Sequence, residues 1–411
     1  MLWIKMGWRN LWRNRRRSLI ELTSIAGSIF LAVFINNLAV GSYAQMINDG
    51  VRMGSGHIGV YRTQYLELRK TELTMDTGTI VPALEHETGV AAVYPRLYVP
   101  GLVRSSRDSR SSVVLGIDID REKSSNPIID PKNISAGELP KVDDPRGALM
   151  GQVLAEELDL DVGKKFVMMT QGADGKIISH LFKITGLIHT NARMIDARMV
   201  VVPRQVLGEV IGKNDCAHEI AVMLQNHKMI NQMLPRIHAI VQRVPDTAVY
   251  HWEEAMPEMA DAIKMDHIGL LIIVGFMYLI VGIGTINTLL MSVMERTREF
   301  GVIRAIGLGR NHIRKIVFSE AFVLSITGVA AGIMLSIIAG LYTYHKGIDY
   351  SFMIKDKGFA GTLIEPVMYS GWDWTTTAII AAGMILIAVT ASLYPAHYIL
   401  KIRPSDAMRK Y

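Results

Sequence analysis

A single cysteine, Cys216, among 411 residues excludes any internal disulfide and with it the cystine-stapled scaffolds of small secreted proteins. Metal-ligand spacing is missing too. The twelve histidines are scattered, and His218-Glu219, which begins like a zinc-protease helix, has Val222 where a second histidine would have to share the metal. No nucleophile-elbow pattern occurs, and the carboxylate pairs Glu156-Glu157 and Asp143-Asp144 read as solvated surface. The nearest approach to a phosphate-binding loop, Gly172-Ala173-Asp174-Gly175-Lys176, is followed by Ile177 and has the wrong spacing. No catalytic residue and no metal site can be nominated.

What is present is apolar. Half of the residues are hydrophobic and only 20% are charged, which excludes disorder and collagen-like repeats. Four stretches carry no charge at all: Leu22 to Gln45, His267 to Met294, Ala321 to His345 and Trp374 to Leu400. Each exceeds the ~20 residues that carry a helix across ~30 Å of hydrocarbon. Four transmembrane helices are expected, over 18–45, 267–294, 316–341 and 374–399. A cleaved signal peptide does not account for the first of them, because its apolar run is longer than a typical h-region and three further spans follow.

The charges that do occur lie at the span edges. Met1 to Arg17, a basic lead-in helix, holds six basic residues and no acid; Glu295 to Lys315 holds six basic and two acidic; Ile399 to Tyr411 holds four basic and one acidic. By the positive-inside rule these segments, including the tail over 400–411, are cytoplasmic. The insert from Ser42 to Asp266, with 25 basic and 29 acidic residues, and the loop over 342–373 then face the other side. The formal net charge of +6 is a topology signal and a source of lipid-headgroup contacts, and nucleic acid is not expected as a partner.

The insert, taken as a domain over 46–266, is long enough for its own core. Strand-like runs recur at His57 to Tyr61, Val90 to Tyr94, Leu97 to Arg104, Ser112 to Ile117, Lys165 to Thr170, Ile177 to Ile188, Arg198 to Val202 and Glu219 to Leu224. Helical stretches fall at Gln152 to Leu158, Arg204 to Ile211 and Met229 to Arg243, so the domain reads as mixed α+β, most regular over Gly147 to Gln225. The expected fold class is therefore an α-helical membrane domain of four spans, with both termini inside and a large α+β domain inserted between the first two.

The loop over 295–315, MERTREFGVIRAIGLGRNHIRKIV when read from Met294 to Val317, is the most informative stretch. A short helix from Glu295 to Ile306 ends at Gly307, whose missing Cβ suits a left-handed cap. In the third span Gly328 and Gly332 form a GxxxG pattern that lets helices approach closely in lipid. Asn36 and Asn37 are polar within hydrocarbon and must face a protein interface or a cavity, which makes them candidates for a substrate cleft.

The stretch RTREFGVIRAIG, Arg296 to Gly307, resembles the FtsX/MacB/LolC-type permease family of ABC transporters. So do the basic WRNLWRNRRRSLI before the first span, Glu320 at the start of the third, and the closing YPAHYILKIRPSDAMR, Tyr394 to Arg409. GALMGQVLAEELDLDVGKKFVMMT, Gly147 to Thr170, is similar to the core of that family's periplasmic domain. GSGHIGVYR, Gly54 to Arg62, looks like the start of the domain in the lipoprotein-releasing LolC/LolE branch.

The resemblance implies a permease subunit in a bacterial inner membrane, with ATP and Mg bound on a separate cytoplasmic ATPase. It implies ATPase coupling through Glu295, Arg296, Arg298, Glu299, Phe300, Gly301, Arg304 and Gly307, and pairing with a second permease chain, identical or not. The implied cargo is a lipoprotein or other lipid-linked molecule. The family also offers MacB-like extrusion of periplasmic molecules with an adaptor and an outer-membrane duct, and FtsX-like control of a periplasmic hydrolase.

Overall fold

The structure, a computed structural model, describes residues 7–9, 12–13, 15–190, 192–307, 309–352, 358–359, 362–363 and 367–401. It divides into two compact units: residues 1–43, 265–349 and 367–411 form one, and 44–264 with 350–366 the other.

The first unit is helical. Its long elements are α1 (Arg15–Met53), α2 (Pro257–Glu295), α4 (Arg310–Lys346) and the pair α5 (Trp374–Ala391) and α6 (Leu393–Lys401), with the short α3 (Thr297–Ala305) between α2 and α4. Among the described residues four helices, counting α5 and α6 together, are long and apolar enough to cross a membrane. α1 and α2 outrun their charge-free stretches, each with 39 residues. At 1.5 Å per residue that is about 58 Å, nearly twice the hydrocarbon thickness. Charges such as Asp49 and Arg52 forbid lipid, not helix, so the helices continue where the spans end. The step between α5 and α6 has a local cause. Pro395 has no N–H for the carbonyl of Ala391 and its ring crowds that same carbonyl, so the helix restarts across Ser392.

One buried cluster joins all four long elements: Ile25, Ile29, Ala32 and Val33 from α1, Val281 from α2, Val323, Leu324 and Val329 from α4, Ile380 and Met384 from α5. α2 contributes least and leaves Leu271, Phe276, Leu279 and Ile283 more than half exposed.

The second unit is built on ten strands: β1 (Ile58–Arg62), β2 (Val90–Arg104), β3 (Ser109–Ile117), β4 (Ile134–Gly137), β5 (Gly147–Gly151), β6 (Lys165–Gln171), β7 (Ile177–Ile188), β8 (Met199–Pro203), β9 (Glu219–Leu224) and β10 (Thr247–His251). β2 belongs to two systems. Val90 to Arg96 pairs with β9, which continues through β1 to β10 as an antiparallel sheet. Leu97 to Arg104 pairs with β3, and Gly101 to Arg104 also pairs with β6. β3 then runs parallel to β8, β8 antiparallel to β5, β5 parallel to β7, and β7 antiparallel to β6. The pairing closes on itself as a six-stranded ring, which leaves its strands no open edge.

Alternation along these strands builds the cores. Leu97, Val99 and Val103, Val114, Ala148 and Met150, Phe166 and Met168, Phe182 and Ile184, and Val200 and Val202 share one cluster, closed by Leu154 and Leu207 of the flanking helices. The sheet packs Ile58, Val60, Ile220 and Val222 against helices Thr77–Glu85 and Ile230–Val241 in a second. The stretch 147–225 supplies β5 to β9, but the ring closes only with Leu97 to Ile117.

Candidate functional site

The loop between α2 and α4 is where charge, aromatic packing and exposure converge. α2 stops at Glu295 because Arg296 leaves helical geometry, with φ −100° and ψ 11°. The Thr297 hydroxyl then donates to the carbonyls of Met294 and Val293, at 2.7 and 3.2 Å, satisfying groups that the helix end leaves open. α3 closes at Gly307, whose φ of +100° lies in the left-handed region that favours glycine.

α3 has two faces. On the inner one Phe300 is 1% exposed, packed with Val293 of α2, Ile313, Ile316 and Val317 of α4, and Ala396, Ile399 and Leu400 of α6. Gly301 is buried beside it. The Arg296 guanidinium lies 5.1 Å from the Phe300 ring centroid, and its Nε donates to Glu299 Oε2 at 3.0 Å. Its Nη1 is 3.5 Å from Glu320 Oε2, while the Ser292 hydroxyl donates to Glu320 Oε1 at 3.2 Å. Arg296 thereby links the end of α2, α3 and the start of α4.

The acids of the loop are engaged from within the chain. Arg13 Nη2 stands 2.9 Å from Glu299 Oε1, and Arg17 donates to Glu295 at 3.0 and 2.5 Å. Partial burial works to raise the Glu299 carboxyl, but hydrogen bonds from Arg13 and Arg296 outweigh it and hold the group below the usual carboxylate range. The outer face carries Arg298, Val302, Ala305 and Ile306, at the spacing of one helical side. Ile306 is 82% exposed and Val302 43%. The outer face thus sets an exposed apolar pair beside an arginine.

The eight residues taken from the sequence thus separate. Glu295, Arg296, Glu299, Phe300 and Gly301 anchor the helix; Arg298 is presented outward; Arg304 is half-buried, and Gly307 is exposed at the cap. Val302 and Ile306 were missed, although their spacing from Arg298 was readable. Arg13 and Arg17 were taken only as topology charges.

The membrane-helix residues also find places. A Cβ on Gly328 would come within 2.7–2.8 Å of the Ile25 side chain, and one on Gly332 within 2.6 Å of the Ala26 carbonyl. Both glycines therefore permit close approach of α4 to α1. Asn36 and Asn37 are buried, at 7% and 2% exposure. The Asn37 carbonyl accepts from Gly371 N at 2.8 Å, while Asn36 Nδ2 and Asn37 Oδ1 have no hydrogen-bond partner among the described residues. The sequence did not single out Glu21. It is 2% exposed in α1 and accepts from the hydroxyls of Thr285 and Thr288 of α2 at 2.8 and 3.2 Å.

Comparison with known proteins shows what this loop is similar to. Residues 271–404 match the family model described as FtsX-like permease C-terminal. The macrolide export ATP-binding/permease protein MacB of Escherichia coli is 23% identical over 351 residues, 82% of this chain and 52% of the relative. The uncharacterized ABC transporter permease YknZ of Bacillus subtilis is 27% identical over 272 residues, 64% of this chain and 62% of the relative. The chain spans about half the length of the MacB relatives it matches. Among solved structures, the periplasmic region of MacB from Actinobacillus actinomycetemcomitans aligns with 54% of this chain and 96% of its own, at 12% identity and a TM-score of 0.36. The extracellular domain of YknZ aligns with 47% of this chain and 98% of its own, at 14% identity and a TM-score of 0.34. The helical loop with its buried Phe300 and outward Ile306 accordingly lies within the residues that match the FtsX-like permease C-terminal model, in a chain similar to MacB and YknZ.

Proposed function

We propose that this chain is the permease subunit of an ABC transporter of the MacB/FtsX type, in which ATP hydrolysis on a cytoplasmic ATPase is converted into displacement of the inserted domain. The observation that carries the reading is the division of α3. Phe300 and Arg296 seat the helix rigidly on α2, α4 and α6, while Arg298, Val302 and Ile306 face outward to meet the ATPase. A push on that face moves the cytoplasmic ends of the long helices, because the anchor leaves no loose linker between them. ATP and Mg reside on the ATPase, expected as a separate subunit, and a second permease chain completes the transporter. The inserted domain is periplasmic, both termini are cytoplasmic, and the membrane is the bacterial inner membrane.

The resemblance to the LolC/LolE branch points to lipoprotein or lipid-linked cargo, while the MacB relatives are named for macrolide export and favour MacB-like extrusion. In either case the cargo is moved by shape change outside the cytoplasm.

Affinity purification of the full chain in mild detergent tests the reading. An ABC ATPase should accompany the chain, and Val302→Glu with Ile306→Glu should reduce its recovery at least tenfold. Ile177→Glu, at an exposed site of the inserted domain, should leave recovery unchanged. Co-purified lipoproteins would identify lipid-linked cargo, and an adaptor with an outer-membrane duct would identify extrusion. No ATPase in any preparation would overturn the assignment.

A further inference from the structure

A helix of 39 residues leaves its last four carbonyls without intrahelical donors, and burying that end demands a partner for each. At the end of α1 the first partners come from the chain just past the helix and the next from the inserted domain's core. Gly50 O accepts from Gly54 N at 2.8 Å, and Val51 O from Gly56 N at 3.0 Å. The Arg52 carbonyl accepts from Arg96 Nη2 at 2.5 Å, and the Gly54 carbonyl, one residue beyond the helix, from Arg96 Nη1 at 2.6 Å. The chain then turns sharply at Gly56, with φ +72° and a Cβ position only 2.6 Å from the backbone N of Val222, and enters β1.

Arg96 is wholly buried, so its charge requires a counter-ion. Glu122, equally buried, accepts from Arg96 Nε at 3.0 Å and from Nη2 at 2.7 Å, and is itself held by Asn126 Nδ2 at 2.8 Å. Glu219 Oε1 stands 3.7 Å from Nη1, its carboxylate fixed by the hydroxyls of Tyr61 at 2.7 Å and Tyr98 at 3.1 Å. The placement of these groups matters as much as their number. Arg96 is the last residue of β2 to pair with β9, and Leu97 is the first to pair with β3 of the ring. Glu219 belongs to the sheet, and Glu122 to the helix Ile119–Glu122 that follows ring strand β3. One planar guanidinium therefore binds the end of α1, the sheet and the ring at their common junction.

We infer that Arg96 is a positioning residue that fastens the outer end of the first long helix to both strand systems of the inserted domain, so that displacement of that helix reaches the domain without slack. Only the source of the displacement rests on the ABC reading above; the joint is a property of the chain alone. A lysine ammonium cannot reproduce it, because one nitrogen cannot hold two carbonyls and a carboxylate in the directions of the arginine fork.

The test uses the full chain in nanodiscs, in a Cys216→Ala background, with spin labels at the exposed positions Asn48 on α1 and Glu138, the residue just past β4. Double electron–electron resonance should give a single narrow distance distribution in the parent. In Arg96→Lys the width should grow at least twofold while the circular dichroism of the strands stays unchanged. If Arg96→Lys does not fold, Glu122→Asp decides, since it loosens the guanidinium without leaving an uncompensated charge, and it should broaden the distribution likewise. An unchanged width in a folded Arg96→Lys chain, or in Glu122→Asp where the lysine variant is unfolded, overturns the inference. Failure of the ABC reading shows separately, as absence of an ATPase in the purification, and leaves the width result standing.

Discussion

An arginine–glutamate cluster stands at each end of the first long helix, and the two work by different physics. At the start, Arg13 and Glu299 meet with side chains 54% and 47% exposed. Past the other end, Arg96 and Glu122 meet at 1% and 0% exposure. Water and ions screen the first pair, which therefore contributes little free energy and is readily broken and remade. The second pair has given up its hydration, so every donor and acceptor must be matched within the cluster, where Glu219 stands 3.7 Å from the same guanidinium. The same two residue types make an adjustable contact at the loop between α2 and α4 and a fixed joint within the inserted domain. Phe300 supplies at the loop the rigidity that its exposed charges cannot.

The largest effect that would break this contrast is expected from Arg96→Met. It strands Glu122 and the Arg52 carbonyl in a dry interior and should cost about 3–5 kcal/mol. In a thermal melt of the detergent-solubilised chain the strand signal should be lost well below the parent midpoint. A melt within a degree or two of the parent would mean the joint is wetter than its burial indicates. Next is Phe300→Ala, which empties the apolar seat of α3 and should cost about 3 kcal/mol. Amide exchange over 297–305 should accelerate and ATPase recovery should fall, whereas Phe300→Leu should retain most of both. Unchanged exchange would assign the anchoring to the surface ion pairs instead.

Acid should separate the two ends further. Burial pushes His218 down to about 4, with the charge of Lys213 adding to it against a hydrogen bond to the Thr71 carbonyl. Burial does the same to His57, helped by His227 and Arg52. Unfolded histidines take up protons near pH 6.5, so the unfolded chain binds more protons than the folded one between that pH and about 4. Stability supplied by the neutral imidazoles is thus complete above pH 6.5 and is lost as pH falls toward about 4. The loss is on the order of 2–3 kcal/mol for each histidine by pH 4.5. The midpoint of the strand signal should drop over that window, and His57→Gln with His218→Gln should flatten the drop. Glu299, held low by its arginines, should keep its charge further into acid than an unpaired glutamate. The smallest effect belongs to Glu299→Gln, about 0.2–1 kcal/mol, vanishing when salt is raised about tenfold. A salt-independent loss would show that the exposed cluster is more buried than its accessibility indicates.

Much of this was legible in the sequence because hydrocarbon is an unforgiving solvent. Four charge-free runs, and basic residues crowded at three edges, follow from the cost of a charge in lipid and need no tertiary information. The strand runs were legible for a similar reason, since period-two alternation is local. The Arg296 to Gly307 stretch was legible as a motif, and Gly307 as its cap. The inner and outer faces of α3 were half legible, because periodicity reveals a face but not what it meets.

By itself, then, the sequence determined the spans, the topology charges, the mixed insert and the location of the loop, all of which depend on residues near one another along the chain. Tertiary structure alone decided that β2 bends from a sheet into a closed ring and that Glu21 accepts from Thr285 and Thr288. It also decided that Arg13 and Arg17 meet Glu299 and Glu295, and that Arg96 caps a helix ending more than forty residues earlier. An arginine in a strand looks solvated from its neighbours. Its burial is settled by partners at Glu122, Glu219 and the end of α1, which only folding brings together.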